Sequence, residues 1–475
     1  MDLCPDTSKV ALPPFHAINH VILLIDENKI YKYRPVWCPK ALKTLWREKW
    51  DVYLANGWWQ WASGNPLAPL LIVTKPMKED SVVCICTVLD KHAQNENTKK
   101  LAVPLLDIGD ILWNVACHWY QTILDGKDAY EQICIVKEHV LHTLFSTPDS
   151  TVESLTMQQG DCNAPATYQT LMNHIFLAHI GVFMDVYLDD IIIYSDMVEE
   201  HLEHIHKVFE ILCCEKLFLS TEKMQFFASW LKILGHIINK QGIIMDPHKV
   251  TTILNWKVPT NKDLLVSFIR AVRFLANDCK GIQIPMGILM QLSSRSKAWQ
   301  WGYTEQCAFD KVKQLVDKWQ NNHRVSIDYQ PEVDPVYLNT DASCTGVSGY
   351  ISQGKDWKLA RVITFWSGKF NPAQQNYPVH EQELLAIIES LKRFCGMLHG
   401  AWFQINTDHR TLEHLEEPIA QAALVVKHFE WVLIQGELHT WGDQHSFWCF
   451  IPHLQCWTGG HHSCWKQVCQ QGWWW

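Results

Sequence analysis

Arginine is scarce in this chain, and a long apolar run is missing altogether. No stretch approaches the ~20 consecutive apolar residues that carry a helix across a bilayer. The opening Met1-Asp2-Leu3-Cys4-Pro5-Asp6 is neither basic nor followed by an apolar core, so it does not read as a secretory leader. An intracellular protein of the cytoplasm or nucleus, not secreted and with no membrane partner, is therefore expected. The 17 cysteines lack framework spacing and are expected as free thiols in a reducing compartment. Near the end, Cys456, His461, His462, Cys464 and Cys469 imitate a zinc site, although an unstructured tail with incidental Cys and His is the better reading. Internal repeats are absent. So is the basic excess of most nucleic-acid binders, because the net charge is −9. That total does not exclude lysines concentrated along one groove, so nucleic acid stays open as a partner.

What is present is enough for globular domains. The chain has 475 residues, of which 48% are hydrophobic and 19% charged, and this supports two or three cores. Tryptophan stands at 24, well above ordinary usage. Helical spacing of Leu202, Ile205, Val208, Phe209 and Leu212 predicts a helix over 197–217. A helix around Pro39–Asn56 and another over Ala166–Leu177 are also read, the latter with Pro165 near its start, where a missing N–H costs nothing. Two helical stretches follow, at Lys262–Asn277 and Glu305–Asn321. The pattern then changes. Strands at Val336–Thr340, Gly346–Ser352 and Arg361–Phe365, a helix at His380–Leu398 and a strand at Trp402–Asn406 make an α/β unit with a boundary near 322–330.

Two acidic clusters carry the chemistry. In Val186-Tyr187-Leu188-Asp189-Asp190-Ile191-Ile192-Ile193-Tyr194 an acid pair sits between apolar strands, which places it at the turn of a hairpin. Asp-Asp is a poor two-residue turn, because such turns favour Asn-Gly or Asp-Gly with positive φ. Like charges beside apolar surface are also costly unless a cation offsets them. Divalent metals do this in phosphoryl-transfer enzymes, where carboxylates hold two ions about 4 Å apart. An acidic surface turn remains the competing reading of this motif alone. Upstream, Ile123-Leu124-Asp125 ends a further strand in an acid. In the second cluster, Asp341 and Asp408 each follow a strand, and Glu383 lies beside the apolar stripe of a helix. Three carboxylates from two strand ends and a helix edge can meet around metal ions, although each motif alone also reads as an N-cap or turn.

The order of Asp125-Gly126-Lys127-Asp128-Ala129-Tyr130, then Gln158-Gln159-Gly160-Asp161-Cys162-Asn163-Ala164-Pro165-Ala166-Thr167-Tyr168-Gln169, then Tyr187-Leu188-Asp189-Asp190, resembles the palm of LTR-retrotransposon reverse transcriptases. It is similar in particular to the gypsy-type (Metaviridae) polyproteins of fungi. The second cluster, with Asn371-Pro372-Ala373-Gln374-Gln375-Asn376-Tyr377-Pro378, resembles the RNase H domain of the same elements. The likeness extends over most of residues 15–415. It implies an α+β chain in which a right-hand polymerase (fingers, palm, thumb/connection) is followed by an α/β RNase H-like domain. In that family the acids matching Asp125, Asp189 and Asp190 hold two Mg²⁺ (or Mn²⁺) and catalyse nucleotide addition. The aromatic matching Tyr130 excludes ribonucleotides, the glutamine matching Gln159 touches the incoming nucleotide, and Lys75 offers a phosphate contact. Acids matching Asp341, Glu383 and Asp408 bind two metals that activate water against an RNA–DNA hybrid. The implied partners are an RNA or DNA template with its primer, the RNA–DNA hybrid, and dNTPs.

The expected layout is a lead-in over 1–60, fingers and palm over 61–240, thumb and connection over 241–325, RNase H over 326–445, and an aberrant, disordered tail over 446–475. Departures from the family temper this expectation. Cys86 stands where the family has a triphosphate-gripping arginine, and His92 replaces another basic residue. The fourth RNase H acid has no convincing counterpart near Asp443. Arginine replaced by Cys, His, Gln or Trp is the outcome of C-to-T or G-to-A changes in arginine codons, which accounts for scarce arginine, abundant tryptophan and the acidic charge together. A shifted frame or readthrough accounts for Trp457–Trp475. The alternative function is a catalytically decayed nucleic-acid-binding remnant, and a third reading is an unstable product without function.

Overall fold

A computed structural model describes residues 2–5, 10–74, 85–228, 230–294, 297–330, 332–343, 346–399 and 401–407, and strand backbones at 430–440 and 443–453. Lys75, Asp408 and the cysteines and histidines beyond 454 lie outside the described residues. The chain divides into two compact units, Met1–Ile243 and Ile244–Trp475.

In the first unit the order is α1 (Lys43–Ala55), β1 (Trp59–Trp61), β2 (Ala68–Thr74), β3 (Ile85–Leu89), α2 (His92–Glu96), α3 (Ile108–Ala116), β4 (Tyr120–Asp125), β5 (Phe145–Ser146), β6 (Thr151–Ser154), α4 (Ala164–Ile175), β7 (Met184–Tyr187), β8 (Asp190–Ser195), α5 (Val198–Glu215), β9 (Trp230–Ile233) and β10 (His236–Asn239). Two sheets result. One runs β1-β6-β5-β2-β3, and the other is the antiparallel set β4-β8-β7.

The first sheet is covered by α1, whose Trp46, Trp50 and Tyr53 recur at helical spacing and enclose Trp58, Trp59 and Phe145. Tyr53 and Trp59 have ring centroids 4.5 Å apart, and the Trp46 indole N–H donates to Asp149 at 2.6 Å. Several of the chain's tryptophans therefore build a core. Others do not: Trp37 and Trp119 are 77% and 68% exposed.

The second sheet explains the unbroken apolar run after Asp190. Neighbours on a strand face opposite sides. Ile191 and Ile193, with Leu124, pack under α4 and α5, while Ile192 and Tyr194, with Ile123, pack against α3 and the β9–β10 hairpin. Burial on both faces needs apolar residues at every position. This hairpin turns at Leu234-Gly235, both of which have positive φ.

In the second unit β11 (Gly242–Met245) straddles the unit boundary and leads to four helices, α6 (Pro247–Leu254), α7 (Lys262–Arg273), α8 (Gln283–Ser293) and α9 (Tyr303–Trp319). They share one core around Leu265, Phe268, Leu289 and Phe309. Next come β12 (Val336–Ser343), β13 (Gly346–Gln353), β14 (Arg361–Lys369), α10 (Val379–Leu398), β15 (Phe403–Asn406), β16 (Glu430–Thr440) and β17 (Asp443–His453). The sheet order is β14-β13-β12-β15-β16-β17, with β15 parallel to β12 and β16. α10 lies on β12 and β13, and it comes so close at Gly349 that a side chain there would strike Ser390. α3 and α8 are elements the sequence pattern does not reveal.

Candidate active site

Tyr187 pairs with Asp190 across the β7–β8 hairpin, so the turn residues are Leu188 and Asp189, one position earlier than an Asp-Asp turn. The register follows from Gln169 on α4. Its Oε1 accepts the Leu188 N–H at 2.8 Å, and its Nε2 donates to the Val186 carbonyl at 3.0 Å and to Asn173 at 2.8 Å. Leu188 is thereby held at φ +55°, where glycine is usual and a leucine is strained by about 1 kcal/mol or more. The shift makes Asp190 the first residue of β8, directly opposite Asp125, the last residue of β4. Gln169 closes the sequence block around Asn163-Ala164-Pro165, yet a glutamine on a helix gives no sign of this clamp.

The site gathers negative charge with little water. Asp125 is buried, and burial pushes its carboxyl up, against the pull of a hydrogen-bonded Lys223. Asp190 is pushed up to about 6 by burial, then by the charges of Asp189 and Asp125. Half-buried Tyr130 is raised by burial and by Asp189, and its ring meets Tyr168 edge-on at 6.1 Å. Gly126 permits this packing, since a Cβ there would lie 2.8 Å from the Tyr168 hydroxyl. Asp125, Tyr130, Asp189 and Asp190 thus share one neighbourhood. Lys223, which sequence reasoning missed, is the cation among them: its Nζ lies 2.9 and 3.0 Å from the two Asp125 oxygens.

The turn 158–163, which precedes α4, carries Gln159. Gln159 accepts a long contact from the Cys86 thiol, 3.9 Å, and its backbone carbonyl accepts the Leu89 N–H at 3.4 Å. Gly160 has φ +104° and no room for a side chain, because a Cβ would sit 2.5 Å from the Leu89 carbonyl oxygen. Beneath it lies a sealed ionic cluster. Asp161 takes Lys91 at 3.1 Å and His20 at 3.3 Å, and all three side chains are at most 3% exposed. The other ring nitrogen of His20 reaches Thr167 at 2.9 Å. Burial alone would raise Asp161, but the Lys91 charge and the His20 contact hold its carboxyl well below the usual range. The turn that carries Gln159 is therefore tied to β3 and to the segment around His20. No arginine occurs between Arg47 and Arg270, so lysines and histidines alone supply cations through this whole stretch.

In the second unit Asp341 lies exposed on β12, while Glu383 on α10 is buried and accepts the Ala342 N–H at 3.3 Å. Helix and strand so bring Glu383 beside the residue that follows Asp341. β15 adds Asn406, whose amide donates to Asn339 at 2.9 Å. Asp443 is the first residue of β17.

Among the described residues no three His, Cys, Asp or Glu side chains stand as a finished metal cage. The Asp125–Asp189–Asp190 neighbourhood nevertheless suits a cation: its acids are mutually repulsive, Asp125 is buried, and an ammonium already occupies it. Hard oxygen donors of this kind suit Mg²⁺ or Mn²⁺.

Comparison with known proteins agrees with this geometry. A family profile described as reverse transcriptase (RNA-dependent DNA polymerase) matches residues 78–238. A second, described as an RNase H-like domain found in reverse transcriptase, matches 332–434. The chain is 28% identical over 415 residues to the transposon Tf2-3 polyprotein of Schizosaccharomyces pombe, covering 86% of this chain and 30% of that one. It is 32% identical over 362 residues to the retrovirus-related Pol polyprotein from transposon 297 of Drosophila melanogaster, covering 74% and 33%. It thus spans about a third of the length of these curated relatives. Among solved structures, a foamy viral protease-reverse transcriptase in complex with double-stranded DNA is similar at a TM-score of 0.70 and 18% identity, over 92% of this chain and 76% of that one. The same viral protein in complex with an RNA/DNA hybrid gives 0.66 and 18%, over 97% and 60%. At that identity the likeness is one of fold. Hairpin, acids, domain matches and relatives converge: this chain carries a reverse transcriptase domain followed by an RNase H-like domain, and it is similar to the polyproteins of gypsy-type LTR retrotransposons.

Proposed function

We propose that this chain extends a primer on an RNA or DNA template, using dNTPs, and that its second unit cuts the RNA of the resulting hybrid. The observation that carries the reading is Asp125 opposite Asp190, with Asp189 in the adjoining turn and Tyr130 alongside. Two divalent ions per site, Mg²⁺ or Mn²⁺, would be held by these three acids, and by Asp341, Glu383 and Asp408 in the second unit. When bound they supply activation of the attacking oxygen and neutralisation of the charge that develops on the leaving group. The chain's own part is positioning. The β4–β8 ladder fixes the acids, the Gln169 clamp aims Asp189, Tyr130 offers a flat apolar surface to the nucleotide sugar, and Gln159 faces the base or ribose. Lys75 would contact a phosphate as a point charge, without arginine's fork. Fingers and palm are assigned to 61–240, thumb and connection to 241–325, and RNase H to 326–445. The working environment is intracellular, where template and dNTPs are found.

One observation favours a second reading, a decayed remnant that binds nucleic acid without catalysis. Cys86 sits against Gln159 where the family resemblance implies an arginine, and the surrounding stretch has no arginine at all. Primer extension on RNA and DNA templates with Mg²⁺ or Mn²⁺, run beside Asp189→Asn, decides between them. Extension lost in the variant supports the polymerase. Hybrid binding by folded protein without any extension supports the remnant.

A further inference from the structure

The acid pairs of this chain are not alike. Lys91–Asp161 and Arg324–Asp278 are closed on both sides, with every side chain at most 3% exposed. Such pairs lock structure, since separating them strands a buried charge. Lys223–Asp125 is asymmetric: Asp125 is 7% exposed at its side chain and Lys223 is 64% exposed. Its ammonium can swing into water without stranding itself, and only Asp125 would need a new counter-charge.

Lys223 is also placed there by backbone structure. The segment from Leu219 to Gln225 runs along the edge of β4. The Ser220 N–H donates to the Asp125 carbonyl at 2.8 Å, and Ile123 and Gln225 exchange two hydrogen bonds of 2.9 and 3.0 Å. Gly126 and Leu219 form a further bridge. These contacts anchor both ends of the turn that carries Lys223, so the lysine faces Asp125 by construction. Asp189 and Asp190 lie within its electrostatic reach.

We infer that Lys223 is a built-in counter-cation that occupies the Asp125 carboxylate in the metal-free enzyme and is displaced when a divalent ion enters. The inference rests on the reading of Asp125, Asp189 and Asp190 as metal carboxylates. The ammonium takes both oxygens of Asp125, the buried acid opposite Asp190. Lys223 is then a positioning residue that weakens metal affinity in the resting chain, so that ions load in full only when a triphosphate brings its own negative charge.

The test is Mn²⁺ binding to the full chain, read by the free-ion electron paramagnetic resonance signal, for wild type, Lys223→Gln, Lys223→Arg and Asp189→Asn. An exposed ion pair converts to about a two- to fivefold effect. Lys223→Gln is expected to tighten Mn²⁺ by that factor, with Lys223→Arg close to wild type. Equal or weaker binding by Lys223→Gln, with wild-type binding still lost in Asp189→Asn, overturns the role of the lysine alone. Mn²⁺ binding indifferent to Asp189→Asn overturns the metal assignment and the inference with it.

Discussion

Asp190→Asn should make the metal-free protein more stable while destroying its proposed activity. Asp190 sits opposite Asp125 and beside Asp189, and it titrates at about 6 rather than its ordinary 3.8. At ~1.4 kcal/mol for each pH unit, the ionised form carries a penalty of about 3 kcal/mol. Solvent reaching this partly covered side chain reduces the gain to roughly 1–2 kcal/mol. The sign depends on pH. Below about 4, Asp190 is protonated in the folded and unfolded states alike, and the variant should match wild type. Between about 4 and 6 the unfolded chain releases its proton first, so wild-type stability falls as pH rises. Above about 6 the full difference is present. Thermal melting in EDTA at pH 8 should therefore show the variant higher by roughly 2–8 °C, a size typical for units of this length. At pH 4 the two curves should coincide. Adding Mn²⁺ at pH 8 should raise wild type and leave Asp190→Asn unmoved. A variant no more stable at pH 8, or equally stabilised at pH 4 and pH 8, refutes the argument that crowded charge strains this site.

Three further outcomes are expected. Asp161→Asn should cost about 3–5 kcal/mol by stranding the buried Lys91, whereas Asp161→Leu combined with Lys91→Met should recover most of that loss in urea unfolding. Cys86→Arg should lower the KM for dNTPs on the order of tenfold in primer extension with little change in kcat, by adding a forked phosphate contact. Leu188→Gly should raise the melting midpoint by about 1 kcal/mol equivalent, and in a double-mutant cycle with Gln169→Leu the two effects should be non-additive, because one side chain enforces the strain the other relieves.

The readable parts of this molecule were those with strong local pattern. Ile191-Ile192-Ile193 flanking an acid pair gives a strand buried on both faces, and the stripe along 198–215 gives an amphipathic helix. The exact turn was not readable, because its register depends on Gln169, 19 residues from Leu188 in sequence and adjacent only in space. Lys223 was invisible for a similar reason. A lysine in a polar turn has no periodicity, and its meaning comes from hydrogen bonds to β4, about a hundred residues upstream. α3 did carry a local sign, since Asp107 caps it by accepting the Gly109 N–H at 2.7 Å, yet at nine residues its apolar stripe is too short to stand out. Among the described tryptophans, Trp46, Trp50, Trp58 and Trp59 are core, whereas Trp37 and Trp119 lie exposed on the surface.

His20 has a consequence for how the chain comes together. Its ring contacts Thr167, 147 residues later, and its backbone bonds to Cys134 and Val136. His20 is therefore synthesised before the turn at 158–163 that receives it, and its contacts wait for that turn. Contacts of such separation slow folding, since a long loop must close before any of them forms. Until His20 arrives, Asp161 and Lys91 have one wall of their enclosure open to water. Docking of the segment around His20 is thus a closing step for the unit Met1–Ile243, and a partner that grips that segment during synthesis would keep the turn bearing Gln159 from setting.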